Sequence, residues 1–338
     1  MAGSSGTSPD HPRVTITEVA ELAGVSVTTV SHVLSGKRLV AARTRETVHE
    51  AIRTLGYRPN HTARSLRTRQ SNMIAVVVPD ITNPFFSVLT RGLADVVYDA
   101  GYGTYVCNTD GAPDRETAFL EDIVDRGADG LVMASVDGAS GGARIPADLG
   151  VPVVCIGEAL DHPLIDVVAP DDGVGSYTVV SRLVQRPVRR VAMIEGPLAA
   201  SRTDGFTRAV RDAGLVVDPA LVVMGDWTRR GGYDGMRRLL AEPERPDAVF
   251  CANDLMAIGA LDALREAGLS VPDDVAVAGF DDVDAATIVT PPLTTVVNPA
   301  YDTGVAAGRL LLSRLTQEYV GAGRRVEVPC PLVVRESA

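Results

Sequence analysis

With 338 residues and 46% hydrophobic side chains, the chain has room for two or three domains with cores of their own. It nowhere strings together the ~18 apolar residues of a membrane-spanning helix, and its first thirty residues lack a basic stretch followed by an apolar one, which excludes a helical membrane protein and an exported one and places the chain in the cytoplasm. The formal net charge of −11 hides an asymmetry, because residues 1–70 hold ten Arg and Lys against five Asp and Glu, net +5, which leaves −16 for the rest and confines any nucleic-acid contact to the head.

Residues 1–13, rich in Gly, Ser and Pro, are predicted to form a disordered tail. "TITEVAELAG" predicts a capped helix: Thr15 accepts from the backbone of Glu18 while Glu18 reaches back, Val19, Ala20, Leu22 and Ala23 make the apolar face, and Gly24 ends it. A second helix starts at Ser26, a suitable N-cap, and buries Val30, Val33 and Leu34, which leaves Val27, Thr28, Ser31 and His32 facing outward. A third, from about Ala42 to Leu55, buries Val48, Ile52 and Leu55 and stops at Gly56. Residues 14–58 therefore read as an all-α helix-turn-helix domain, whose second helix enters the major groove N-terminal end first. Small polar side chains there reach base edges, and phosphate attraction falls to flanking cations such as Lys37, Arg38, Arg43 and Arg45. A three-helix protein-interaction module is the alternative, and the basic balance of the head weighs against it.

Residues 59–71 read as a short helix and linker. Pro59 and Asn60 mark a break, and the roughly two turns that follow are too few to be stable alone in water. Leu66 stands in this basic stretch without an evident core. Either it wedges between base steps in the minor groove, or the segment is a flexible linker whose leucine packs on the body.

From Met73 onward strand-like and helix-like runs alternate, "MIAVVVPD" and "PDAVFCAND" among the strands and "DLMAIGALDALREAG" among the helices. Repeated βαβ units predict parallel sheets covered on both faces, and about ten strands exceed one comfortable sheet. The expected body, residues 72–338, is an α/β fold of two parallel-sheet subdomains around a cleft, with ligands at the carboxyl ends of the strands. Several of those ends are polar or aromatic: Asp80 and Asn83, Asp110, Arg202, Trp227, Asn253 and Asp281. Read singly, Trp227 can fill core, Asp281 can cap a helix and Arg202 can be a surface charge. Cys107, Cys155, Cys251 and Cys330 lie far apart in apolar runs, so buried thiols are expected, with no metal site and no cofactor.

The segments "VTITEVAELAGVSVTTVSHVLSG", "TRETVHEAIRTLGYRPNHTARSLRT", "VVVPDITNPFF", "AVFCANDLMAIGAL" and "VAVAGFDDVDAATIVTPPLTTV", in this order, resemble the LacI family of bacterial transcription repressors from about Val14 to the end. The resemblance implies a nucleoid-associated homodimer or tetramer whose paired heads bind a palindromic DNA duplex. It implies a body like the periplasmic sugar-binding proteins, with subdomains of about 72–170 plus 300–327 and 171–299 plus 328–338, and a small effector in the cleft. Carried over by position, Val27, Thr28 and His32 read bases and Arg38 adds a contact, with the outward-facing Ser31 beside them on the DNA-binding face; many members have arginine where this chain has His32. Leu66 falls on the hinge-helix wedge and Arg67 on its minor-groove neighbour. For the effector, Phe85 falls on an aromatic wall, with Asn83 from the same strand end taken as a further contact, Arg202 on a polar clamp, Trp227 on a stacking ring, and Asn253 and Asp281 on acceptors for hydroxyls or ring N–H groups. This set suits a sugar, with a nucleobase as the other candidate. Two departures stand out: Ala41 replaces a serine common at the third N-cap, and Gly157 with Glu158 replace an aspartate common after the "PVV" strand. Effector binding is expected to favour one arrangement of the subdomains and so alter the cost of folding the hinge on DNA. A transport binding protein would need an export signal and no basic head. An enzyme would need a catalytic constellation, and the chain has no G-x-G-x-x-G after its first strand, no Walker loop and no G-x-S-x-G elbow.

Overall fold

The computed structural model describes residues 14–35, 38–57, 70–134, 142–157 and 162–338. The predicted tail, the hinge helix with Leu66 and Arg67, and Glu158 lie outside the described residues. Two compact units divide the chain, Met1–Ser71 and Asn72–Ala338.

The head holds α1 (Ile16–Ala23), α2 (Val27–Ser35) and α3 (Ala42–Leu55). The capping box forms as the sequence predicts: the Glu18 amide donates to Thr15 Oγ1 at 3.4 Å and the Thr15 amide to Glu18 Oε2 at 2.7 Å. Gly24 ends α1 at φ +64°, a left-handed conformation that side-chain-bearing residues resist, and Ser26 Oγ accepts from the Thr29 amide at 3.1 Å to start α2. The core is Val19, Ala20, Ala23, Val30, Val48 and Ala51. Two expectations shift here. Leu22 is 53% exposed, and Val33, Leu34, Ile52 and Leu55 are half-buried while Ala51 takes the central place. Close contact between α1 and α3 selects alanines at the crossing and leaves larger side chains at its margin. Ala41 makes no side-chain cap bond at the start of α3. Ala41→Ser is expected to stabilise the head by about 1 kcal/mol, seen as a higher urea midpoint; no gain would mean that another group already satisfies those amides.

In chain order the body runs β1 (Met73–Val78), α4 (Pro84–Asp99), β2 (Gly103–Asn108), α5 (Pro113–Asp125), β3 (Gly130–Met133), α6 (Arg144–Asp148), β4 (Val153–Ile156), β5 (Ile165–Pro170) and α7 (Asp172–Leu183). It continues with β6 (Val191–Glu195), α8 (Ala200–Asp212), β7 (Val222–Met224), α9 (Arg229–Leu240), β8 (Ala248–Cys251), α10 (Asp254–Glu266) and β9 (Ala276–Ala278). Last come α11 (Ala285–Ile288), β10 (Thr295–Val296), α12 (Ala300–Leu315), β11 (Arg325–Val328) and β12 (Leu332–Val333).

One sheet has the order β2-β1-β3-β4-β5-β11 and the other β7-β6-β8-β9, with every pair in both parallel. Strand β1 is central in the first, Ile74 lying opposite Thr104 on one side and Gly130 on the other. Covered on both faces, it reads as an unbroken apolar run. Ala75 and Val77 pack on the side of Leu120 and Ile123 from α5, whereas Ile74, Val76 and Val78 face Leu93, Val97 and Leu311 from α4 and α12. The second sheet shares one core that includes Phe206, Met236 and Phe250. Strands β10 and β12 form a separate antiparallel pair. All four cysteines are buried and free.

A buried ion cluster ties the first sheet to α12. Asp166 of β5, fully buried, accepts from Arg314 Nε and Nη2 at 2.7 Å each, and from the backbone amide and Nη2 of Arg324 at 2.8 and 2.6 Å. Burial alone would raise its pKa, but the bonds from Arg314 and Arg324 outweigh that and hold it below the usual aspartate value.

Candidate functional site

A cavity of about 660 Å³ lies in the body, and its wall is built from the carboxyl ends of strands and the loops and first helical turns that follow them. Asn83 and Phe85 come from the N-cap and first turn of α4 after β1, Asp172 from the first turn of α7 after β5, Arg202 from α8 beyond β6, Trp227 from beyond β7, Asp281 from beyond β9 and Asn298 from beyond β10. Five of the six effector residues expected from the sequence therefore meet here. Asn83 is also the N-cap of α4, its Oδ1 accepting from the Phe85 amide at 3.0 Å, which fixes Phe85 and Phe86 edge to face with ring centres 5.2 Å apart.

Arg202 is the hub of the opposite wall. Its Nε donates to Asp172 Oδ2 at 2.9 Å, its Nη1 donates to the Ala252 carbonyl and lies 3.5 Å from Asp281 Oδ1, and its guanidinium rests 3.8 Å from the centre of the Phe280 ring. It is 8% exposed, so this cation is held by two carboxylates and a ring, not by water. Asp281 also accepts from Asn298 Nδ2 at 3.0 Å. Burial pushes its pKa up to about 6, against the pull of Arg202 and Asn298 and with the push of Asp172. Asp254 behind it is fully buried and holds the loop by accepting from the Val283 amide at 2.9 Å and from Thr295 Oγ1 at 2.5 Å. Burial, then the neighbouring Asp281, raise its pKa well above the ordinary value.

Trp227 packs its indole against Gly196, where an added Cβ would come within 2.4 Å of the ring, and its backbone takes φ +68°. Asn253 does not line the cavity. It is 1% exposed, caps α10 by accepting from the Met256 amide at 2.9 Å, and donates from Nδ2 to the Trp227 carbonyl at 3.0 Å. The structure thus turns this expected acceptor away from the cleft and toward the tryptophan that lines it.

Asp172 and Asn298 are among the wall residues that escaped the sequence reading. Each presents one buried side-chain oxygen, Asp172 Oδ1 and Asn298 Oδ1, with no hydrogen-bond partner among the described residues. Their signal was their place, just past "IDVVAPD" and at the end of "LTTVVNP". An unsatisfied buried acceptor costs stability until a donor arrives. The cleft therefore offers aromatic faces, one fixed cation and acceptors awaiting donors. No group of three or more His, Cys, Asp or Glu able to hold a metal occurs among the described residues.

In the head, Val27 and Thr28 are exposed on the first turn of α2, Ser31 and His32 are half-buried one turn later, and Arg38 is exposed. Spacings of one, four and five residues put the first four on one helical face, opposite Val30 in the core.

Residues 15–60 match the pattern of "Bacterial regulatory proteins, lacI family", and residues 180–338 that of a "Periplasmic binding protein-like domain". The ribose operon repressor of Escherichia coli is 37% identical over 308 residues, 90% of this chain and 93% of that protein. Among solved structures, the lac repressor dimer bound to operator and the anti-inducer ONPF is 28% identical with a TM-score of 0.85, covering 96% of this chain and 99% of that one. A regulator from Enterococcus faecium with bound ribose is 29% identical with a TM-score of 0.71, covering 79% of this chain and 98% of that one. On this likeness in sequence and fold, from the capped helix-turn-helix to the last strand of the body, the chain belongs to the lacI family of bacterial regulatory proteins.

Proposed function

We propose that the chain is a transcription repressor that binds a palindromic operator as a dimer and is controlled by a sugar, with a pentose such as ribose the first candidate. The observation that carries the effector reading is the pair of unsatisfied acceptors, Asp172 Oδ1 and Asn298 Oδ1, on the same wall as the Trp227 ring. A sugar brings hydroxyl donors to such oxygens and an apolar ring face to the aromatic surface. A nucleobase offers fewer donors. In the head, Val27, Thr28, Ser31, His32 and Arg38 are assigned to the duplex, and Leu66 and Arg67 to its minor groove.

Calorimetric titration of the whole protein with ribose, other pentoses, hexoses and nucleobases tests the cleft. A pentose is expected to bind and to raise the melting temperature, since a ligand specific to the folded state must stabilise it; binding of nucleobases alone would overturn the sugar reading. Binding should also depend on pH. Hydroxyl donors favour the ionised form of Asp281, whose pKa is about 6, so protonation opposes the ligand. Affinity is expected to be flat above pH 7, to bend near pH 6 and to approach a loss of about tenfold per pH unit below it. A flat profile from pH 8 to 5 would remove Asp281 from the contact.

A further inference from the structure

Asn253 sits where a contact to the effector is expected and yet is sealed from the cavity at 1% exposure. Its single amide joins two elements: Oδ1 closes the first turn of α10 on the Met256 amide, and Nδ2 reaches the Trp227 carbonyl at 3.0 Å. Trp227 needs such a hold. Its φ of +68° is a conformation that a large side chain adopts only when its surroundings impose it. On the far side the chain is turned by Asp226, whose Oδ1 accepts from the Thr228 amide at 2.9 Å, and beneath the ring the bare backbone of Gly196 leaves no room for movement inward. The Asn253 bond adds a hold on the 227 carbonyl itself.

We propose that Asn253 is a positioning residue, which fixes the backbone of Trp227 and through it the ring on which the effector rests, without touching the effector itself. The inference depends on the sugar reading of the cleft only for its ligand arm. Trp227 is the one tryptophan in the chain, so intrinsic emission reports its ring alone.

The test is Asn253→Ser in the full-length protein. Serine caps a helix about as well as asparagine, so α10 keeps its start, but it is too short to reach the Trp227 carbonyl. Without any ligand, the emission maximum is expected to move to longer wavelength and acrylamide quenching to increase. Ribose affinity is expected to fall by about tenfold, the loss of one buried hydrogen bond. In a Trp227→Ala background the same substitution should cost nothing further, because the two changes act on one contact. Unchanged emission in ligand-free Asn253→Ser, or a full additional loss in the Trp227→Ala background, would overturn the proposal and mark Asn253 as a direct contact. Should ribose bind not even the unsubstituted protein, the sugar reading fails, and the ligand-free emission still decides the role of Asn253. Asn253→Thr, which also caps a helix and is too short to reach the Trp227 carbonyl, serves if the serine variant does not fold.

Discussion

Asp166→Ala is expected to lower the melting temperature of the body by about 10 °C, a loss of roughly 3–5 kcal/mol. The reason is what it leaves behind. Arg314 is 3% exposed and would keep only the Gly321 and Ala322 carbonyls, at 3.3 and 3.2 Å, with the Tyr319 ring nearby. A guanidinium that has lost its carboxylate cannot be solvated there and cannot shed its proton. Strand β5, helix α12 and the start of β11 lose their common anchor at once. The exposed pair Arg230–Asp234 on α9 provides the contrast, since water screens it and Asp234→Ala should leave the melting temperature almost unchanged. Acid has the same effect as the mutation. Because the folded-state pKa of Asp166 lies below its ordinary value, its contribution is present at neutral pH and is lost as pH falls through that lowered value. Urea melts of both variants in a series from pH 7 downward check this, the penalty of Asp166→Ala shrinking as acid protonates Asp166 in the parent, and equal losses for Asp166→Ala and Asp234→Ala at pH 7 would contradict it.

Arg202→Met is expected to abolish the effector response while leaving duplex binding in place. Methionine keeps most of the volume and removes the charge, so Asp172 and Asp281 remain close together without a cation between them. The pKa of Asp281, already about 6, rises further when its largest stabilising partner is removed. An acid with a raised folded-state pKa gives its full stability at low pH and loses it as pH rises through that value. The variant should therefore be about 3 kcal/mol less stable than the parent at pH 8 and recover much of the difference at pH 5. A deficit independent of pH would mean that lost packing, not unpaired carboxylates, is responsible.

Local rules carried the head. Thr15, Glu18, Gly24 and Ser26 act within a few residues of themselves, so their roles could be read without knowing what lies across the core. Leu22 could not be placed that way, because which of several apolar residues meets α3 depends on how closely the helices approach. In the body, buried parallel strands announced themselves as apolar runs. Strands β11 and β12 did not: β11 is an edge strand reading "RVEV", with charges on alternate residues, and β12 is two residues long. Most of the cleft followed from the rule that ligands gather at strand carboxyl ends. Asn253 shows the limit of that rule, since position brought it to the cleft and a hydrogen bond to Trp227 turned it away.

The central claim is that a small molecule in the cleft changes the grip of the head on DNA. Its direct test is the affinity of the full-length protein for the palindromic duplex it selects from a random pool, measured by fluorescence anisotropy with and without saturating ribose. The account predicts a change of about 5- to 150-fold, and the same factor in ribose affinity when duplex is present, since coupling between two binding sites is reciprocal. Equal duplex affinities with ribose bound and absent, or no preference for the selected duplex over random sequence, would contradict it.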